Sequence, residues 1–319
     1  MMRISQAKAI ELLQHGEVVA IPTETVYGLA ADARNEAAIA KIYAAKQRPA
    51  DNPLIVHIAD AGQVSEWTSE FPPLAQRLAQ AFWPGPFTLV LPAREEVSAA
   101  VRAGEPTVAL RVPAHPVALA LLNDSGLGLA APSANKYTQL SPTTAAHVEA
   151  GLGKDIPVLD GGACQVGIES TIVSVHGDEW QLLRPGMIDA SAIAKVAGKP
   201  AMQQTLAHTP KAPGQHLLHY SPRTPCFLFA SRQAMLQDAR NHAGAAALLF
   251  GAGPSVTSKD LVLPDNALLA AEQLYSALHT LDAAGANIIL IESPPPGAGW
   301  DALRDRLQRA AYAPDPQKD

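Results

Sequence analysis

The sequence predicts an α/β protein in two parts: a twisted mixed-sheet domain over residues 1–200, and a smaller parallel α/β domain over 225–319, joined by a linker over 201–224. Three observations predict this. A chain of 319 residues exceeds the size at which one core usually keeps growing. Short apolar runs alternate with helix-like segments, but without a regular βαβ beat, so the larger sheet is expected to be mixed rather than doubly wound. Around Lys199 the periodicity stops, and Pro200, Pro210, Pro213 and Gly214 punctuate a stretch that reads as a linker.

Taken in order, apolar residues at helical spacing predict a helix over 5–14 that Gly16 stops, followed by a short buried strand over 18–21. Helices are expected over 35–45 and 74–82, and another ending near Asn123. Strands are expected over 54–58, 87–91, 108–112, 127–131, 171–175 and 180–183. Past the linker, strands at 226–229, 245–250 and 288–291 alternate with helices at 232–242 and 268–284, and a last helix covers 300–311. That beat is the one a parallel sheet requires. The tail after Pro314 is expected to fray.

A hydrophobic fraction of 48% and a charged fraction of 17% describe an ordinary globular chain. The net charge of −6 excludes a surface that clamps nucleic acid by general phosphate neutralisation, so any anion site must be local. Cys164 and Cys226 stand in no metal-binding or disulfide spacing. The first ten residues carry no apolar h-region, and no apolar run reaches membrane length; the expectation is a cytoplasmic protein with no membrane role.

Several motifs fail. There is no GxxxxGK[ST] phosphate loop and no GxSxG elbow. Residues 126–131 satisfy GxGxxA, but they follow a helix and lead into a strand, the reverse of the dinucleotide-binding context. His216 and His219 share a metal-compatible spacing, without a third ligand nearby.

Other segments place reactive side chains where strands and helices end. PTETVYGL at 22–29 puts hydroxyls after a buried strand, where Thr23 and Thr25 either meet a ligand or cap a following helix. KQRPADNPLIVH at 46–57 sets Lys46 and Arg48 at a helix end, which the helix dipole favours and which a polyphosphate also needs. TVALRVP at 107–113 carries Arg111 in an apolar strand, so its charge requires an internal carboxylate or an anionic ligand. APSAN at 131–135 ends a strand on Ser133 and Asn135, and Ser141 and Thr143 follow, Thr143 reading as a helix N-cap. GIESTIV at 167–173 and LLRPG at 182–186 complete the set with Ser170 and Arg184.

These six segments, in this order, resemble the threonylcarbamoyl-AMP synthase family in its longer form, which joins a YrdC-like catalytic domain to a Rossmann-like accessory domain. The resemblance implies synthesis of L-threonylcarbamoyladenylate and pyrophosphate from L-threonine, bicarbonate or CO2, and ATP. The magnesium it implies is expected on the ATP phosphates, with no protein metal motif. It implies ATP contacts at Arg48, Asn52, Thr107, Ser133, Ser141, Arg184 and Tyr220, and L-threonine contacts at Thr25, His57, Arg111, Ala131 and Ser170. Lys46, Arg48, Ser133 and Asn135 match the family's basic-and-polar tetrad. The product would pass to tRNA threonylcarbamoyl transferase proteins for modification of the adenosine next to the anticodon, a role that requires no direct tRNA contact. Residues 213–222, PGQHLLHYSP, depart from longer members in lacking extra basic residues while keeping Tyr220; a lid role for this linker is expected from its length and punctuation. Competing readings are an RNA-binding module, a carbamoyl transferase and a nucleotide sensor. The acidic net charge opposes the first, and the absence of zinc-finger cysteines opposes the second.

Overall fold

The structure, a computed structural model, describes residues 2–201, 210–214 and 219–311. Half of the expected linker, with His216, and the C-terminal tail lie outside the described residues. The chain divides into two compact units, Met1–Lys136 with Pro142–Gln215, and Tyr137–Ser141 with His216–Asp319.

The first unit is built on a ten-stranded sheet. Its strands are β1 (Met2–Arg3), β2 (Val19–Ile21), β3 (Gly28–Asp32), β4 (Ile55–His57), β5 (Phe87–Pro92), β6 (Thr107–Arg111), β7 (Leu129–Ala130), β8 (Pro157–Val158), β9 (Thr171–His176) and β10 (Glu179–Arg184). They lie in the order β1-β8-β2-β3-β7-β4-β6-β5-β9-β10. Pairs β4/β6 and β5/β9 are parallel, while β2/β3, β5/β6 and β9/β10 are antiparallel, so the sheet is mixed as expected.

The central strands are apolar on both faces because both faces are covered. Phe87, Leu89, Leu91, Leu110 and Val173 join the main core with Ile39, Ile42, Leu74 and Leu78 from helices Glu36–Lys46 and Pro73–Phe82. Ile55, Val90, Ala109 and Ile172 pack instead against Ala212, from the described piece of the linker. Helix Glu36–Lys46 is capped by Asn35, whose side chain accepts from the Ala38 amide. Its buried residues Ala38, Ile42 and Lys46 recur every fourth position, which carries Lys46 onto the inward face.

The second unit has four parallel strands, β11 (Cys226–Phe229), β12 (Ala246–Phe250), β13 (Asp260–Leu263) and β14 (Ile289–Glu292), ordered β11-β14-β12-β13. Helices Arg232–Asp238, Ala267–Ala283 and Asp301–Ala310 accompany them.

Two local readings are corrected. Thr23 and Thr25 cap no helix: the chain turns and returns as β3, with Gly28 opposite Ile21. The Thr23 hydroxyl accepts from the amides of Thr25 and Val26, so it closes the turn. The helix after Ser141 is capped by Thr144 rather than Thr143. Strand β13 went unread because Lys259 and Asp260 interrupt its apolar signal, and helix Ala190–Ala197 because its alanines give a weak pattern.

Trp180 is fully buried and anchors the β9/β10 edge, its indole N–H donating to the Lys199 carbonyl at 3.0 Å. Trp180→Ala is expected to cost about 3 to 5 kcal/mol, read as a lower urea midpoint at unchanged slope.

Candidate functional site

Main-chain bonds gather the sequence motifs at one end of the large sheet. Leu29 N donates to Pro132 O at 2.7 Å and Ala134 N to Tyr27 O at 2.8 Å, tying PTETVYGL to APSAN. Val166 N donates to Glu24 O at 2.7 Å, and Thr171 N to Pro86 O at 3.0 Å, bringing in the segment around Ser170. Gly28 eases this closeness: a Cβ there would stand 3.1 Å from the Ala131 Cβ, a tight contact that a small shift would have to relieve. Gly186 is more strictly constrained, since a Cβ would meet the Thr171 amide nitrogen at 2.4 Å.

Lys46 occupies the centre of the basic group. It is 1% exposed, and its Nζ donates to the carbonyls of Ser133 at 2.5 Å and Asn135 at 2.6 Å. Burial, and then the charge of Arg48, pushes its pKa well below the ordinary lysine value, while Glu169 pulls it back. No carboxylate stands at ion-pair distance from Lys46 among the described residues. Arg48 is buried after the left-handed Gln47 that ends the helix, and donates to the Pro53 carbonyl at 3.1 Å. Asn52 is buried, its carbonyl accepting from the Tyr43 hydroxyl at 2.9 Å.

Arg111 ends β6 in the opposite electrostatic condition. Its Nη2 pairs with Glu24 Oε1 at 2.6 Å, Nη1 donates to the Thr25 hydroxyl at 2.9 Å, and Nε to the Gly85 carbonyl at 3.2 Å. Glu24 and Arg111 are both buried. Sequence reasoning required a counter-charge for Arg111 without naming Glu24; a carboxylate among the hydroxyls of a turn gives no pattern of its own. His57 stands beside Arg111 in the β4/β6 register, with its Nδ1 buried and without a hydrogen-bond partner. Burial, then the charge of Arg111, lowers its pKa from 6.5 to about 3, so the imidazole is neutral.

Arg184 closes β10 and donates to Ser170 O from Nε at 3.1 Å and from Nη2 at 2.9 Å. Its Nη2 also reaches Ser170 Oγ, at 3.1 Å, and that hydroxyl shares a 2.8 Å bond with Thr88. Nη1 donates to the Pro213 carbonyl at 3.1 Å, so the middle of the linker lies beside this arginine. Ala131 is buried at the end of β7, and Thr107 is half-buried at the start of β6. Ser141 and Tyr220, named with the ATP group, belong to the second unit. Among the described residues no three His, Cys, Asp or Glu side chains gather as a metal site, and no helix is long and apolar enough to cross a membrane.

The chain is similar to known proteins over nearly its whole length. A family model described as "Telomere recombination" matches residues 11–186, and one described as "Threonylcarbamoyl-AMP synthase, C-terminal domain" matches 188–312. The threonylcarbamoyl-AMP synthase of Bacillus subtilis (strain 168) is 41% identical over 96% of this chain and 92% of its own. That of Pyrococcus abyssi (strain GE5 / Orsay) is 38% identical over 95% of this chain and 93% of its own. A crystal structure of P. abyssi Sua5 complexed with L-threonine superposes with a TM-score of 0.87 at 36% identity, covering 97% of this chain and 96% of that one. Fold, site and relatives together define an enzyme of the nucleotidyltransferase type. The chain belongs to the threonylcarbamoyl-AMP synthase family, with both of that family's regions present.

Two predictions follow from the buried charges. Glu24→Ala is expected to cost about 3 to 5 kcal/mol by stranding Arg111, and Arg111→Met in the same chain to recover part of it; a double-mutant cycle in urea measures the coupling. Unfolding returns His57 to its ordinary value, so from pH 6.5 down towards about 3 the unfolded chain takes up a proton that the folded chain refuses. Stability is therefore lost as pH falls through that window, and His57→Gln should flatten the decline in urea midpoint between about pH 7 and about pH 4.5.

Proposed function

We propose that this chain makes L-threonylcarbamoyladenylate and pyrophosphate from L-threonine, bicarbonate or CO2, and ATP. The observation that carries the reading is Lys46: a buried ammonium beside the charge of Arg48, held by two carbonyls and with no carboxylate at ion-pair distance among the described residues, suits a polyanion.

Threonine's amine loses a proton and adds to CO2, giving a carbamate. A carbamate oxygen then attacks the α-phosphorus of ATP, and the bond to the β-phosphate oxygen breaks to release pyrophosphate. Both partners are anions, so cations must offset their repulsion. Lys46 and Arg48 supply that charge, and Arg184 holds Ser170 in place. Arg48, Asn52, Thr107, Ser133, Ser141, Arg184 and Tyr220 serve ATP. Thr25, His57, Arg111, Ala131 and Ser170 serve threonine, with Arg111 on its carboxylate and neutral His57 as a hydrogen-bonding partner. Ser133 and Asn135 fix the reacting ends, so the chemistry is positioning and electrostatic stabilisation without a covalent enzyme intermediate.

Magnesium would be held by the phosphate oxygens and water, supplying charge neutralisation, since the described residues build no cage of their own. The adenylate would pass, in the cytoplasm, to tRNA threonylcarbamoyl transferase proteins that modify the adenosine next to the anticodon.

The test is pyrophosphate release from ATP, magnesium and bicarbonate, with and without L-threonine. Release is expected only with threonine, and Lys46→Met should lower it by about 10²- to 10³-fold while the fold persists. Release independent of threonine, or none at all, rejects the reading. Serine should compete weakly, because one methyl is worth only about 1 to 3 kcal/mol of discrimination.

A further inference from the structure

The second unit includes Tyr137–Ser141, a short piece of chain that follows the candidate-site residue Asn135 almost directly. It ends on Ser141, and the other candidate-site residue of this unit is Tyr220; both are buried. The Ser221 amide donates to the Thr138 carbonyl at 2.9 Å, and Gln139 pairs with Ser221 in a parallel bridge. Residues 137–141 and 219–221 therefore run side by side, with His219 meeting the Tyr137 ring edge-on at 6.0 Å. Thr138 and Tyr220 take φ values of 64° and 61°, left-handed conformations that such residues keep only when their surroundings hold them.

Two helices do the holding. On Ala267–Ala283, Tyr275 and His279 lie one turn apart on the same face. Tyr275 packs on Tyr220 with centroids 6.0 Å apart, and the His279 Nε2–H donates to the Ser141 carbonyl at 3.1 Å. On Asp301–Ala310, Arg306 is 1% exposed, and its guanidinium stands 4.9 Å from the centroid of the Tyr220 ring. Asp305 aims it, at 2.7 Å. Water cannot compete with a cation buried over an aromatic face, so this contact is at the strong end of its kind. The last turn of the same helix takes the linker's end: the carbonyls of Arg309 and Ala310 accept from His219 N at 3.4 Å and Ser221 Oγ at 3.2 Å.

Resting on the function proposed above, which assigns Ser141 and Tyr220 to ATP, we propose that His279 and Arg306 are positioning residues for the nucleotide. They hold Ser141 and Tyr220, the two ATP-assigned residues of their own unit, and among the described residues touch none of those assigned to threonine. Asp305 also pairs with Arg309 at 2.8 Å, so it keeps a cationic partner when Arg306 is replaced.

The experiment measures ATP binding, threonine binding and the KM of each substrate on the full chain carrying Arg306→Met, Arg306→Lys, His279→Ala or His279→Gln. Arg306→Met and His279→Ala are expected to weaken ATP binding about tenfold, the loss of one desolvated contact, with threonine binding within about twofold of the parent. Arg306→Lys should fall between parent and Met variant, and it carries the test if the Met variant does not fold. His279→Gln, which keeps an N–H donor, should restore most of the affinity. ATP binding within about twofold of the parent in all four variants overturns the proposal, as does parallel loss of ATP and threonine. A parent chain that binds threonine but no ATP overturns the proposed function, and this inference with it.

Discussion

An ammonium can be kept in a protein interior only if something replaces the water it gives up, and around Lys46 that replacement is two carbonyl oxygens on one turn. Both must point at the same spot, so Ser133 and Asn135 have to bracket a tight bend, which the Asn135 amide closes by donating to the Ser133 carbonyl at 3.0 Å. The bend in turn must lie against β3, and Gly28 permits that approach. On the other side, helix Glu36–Lys46 ends on the cation itself, whose face is set by its spacing from Ala38 and Ile42. Left-handed Gln47 ends it there and sends Arg48 back towards the same region. The arrangement of three separate segments is thus a consequence of solvating one charge.

The second buried cation is solved differently, and the contrast sorts the site into halves. Arg111 is neutralised by Glu24 before any ligand arrives, whereas Lys46 feels Glu169 only from beyond ion-pair distance. A region already balanced by one cation and one carboxylate suits a zwitterion, which can exchange charge for charge. A region with surplus positive charge suits a polyanion. On the function proposed here, threonine and ATP are those two ligands.

Much of this was legible in the sequence, and what escaped did so for definable reasons. Strands β5 and β9 are long apolar runs covered on both faces, and such runs announce themselves. Strand β3 was hidden because Gly28, Ala30 and Ala31 are small: the close packing that the site needs removes the bulky residues by which a strand is recognised. The cations stood out because charge in an apolar strand or at a helix end is conspicuous. Glu24 and Glu169 did not, because each sits among polar neighbours where a carboxylate looks like surface, and only the fold buries them. The placement of Tyr137–Ser141 with the second unit is likewise invisible in one dimension, since it depends on a bridge to Ser221 some eighty positions away.

That last placement divides the residues assigned to the two substrates unevenly between the units. Every residue assigned to threonine, from Thr25 to Ser170, belongs to the first unit, whereas the residues assigned to ATP are divided, with Ser141 and Tyr220 in the second. The residues assigned to threonine therefore fall within one compact unit, and Ser141 and Tyr220 fall within the other. Ser141 is joined to the first unit by chain on both sides, so whatever fixes its carbonyl also limits the conformations open to residues 135 and 142. A short tie anchored by His279 and by the Tyr220–Arg306 stack restricts that loop at little entropic cost, because the helices that supply it are already ordered for their own packing. An enzyme that must bring two anions together benefits from such preorganisation chiefly at the polyanion, where misplacing a cation by a small distance forfeits most of its effect.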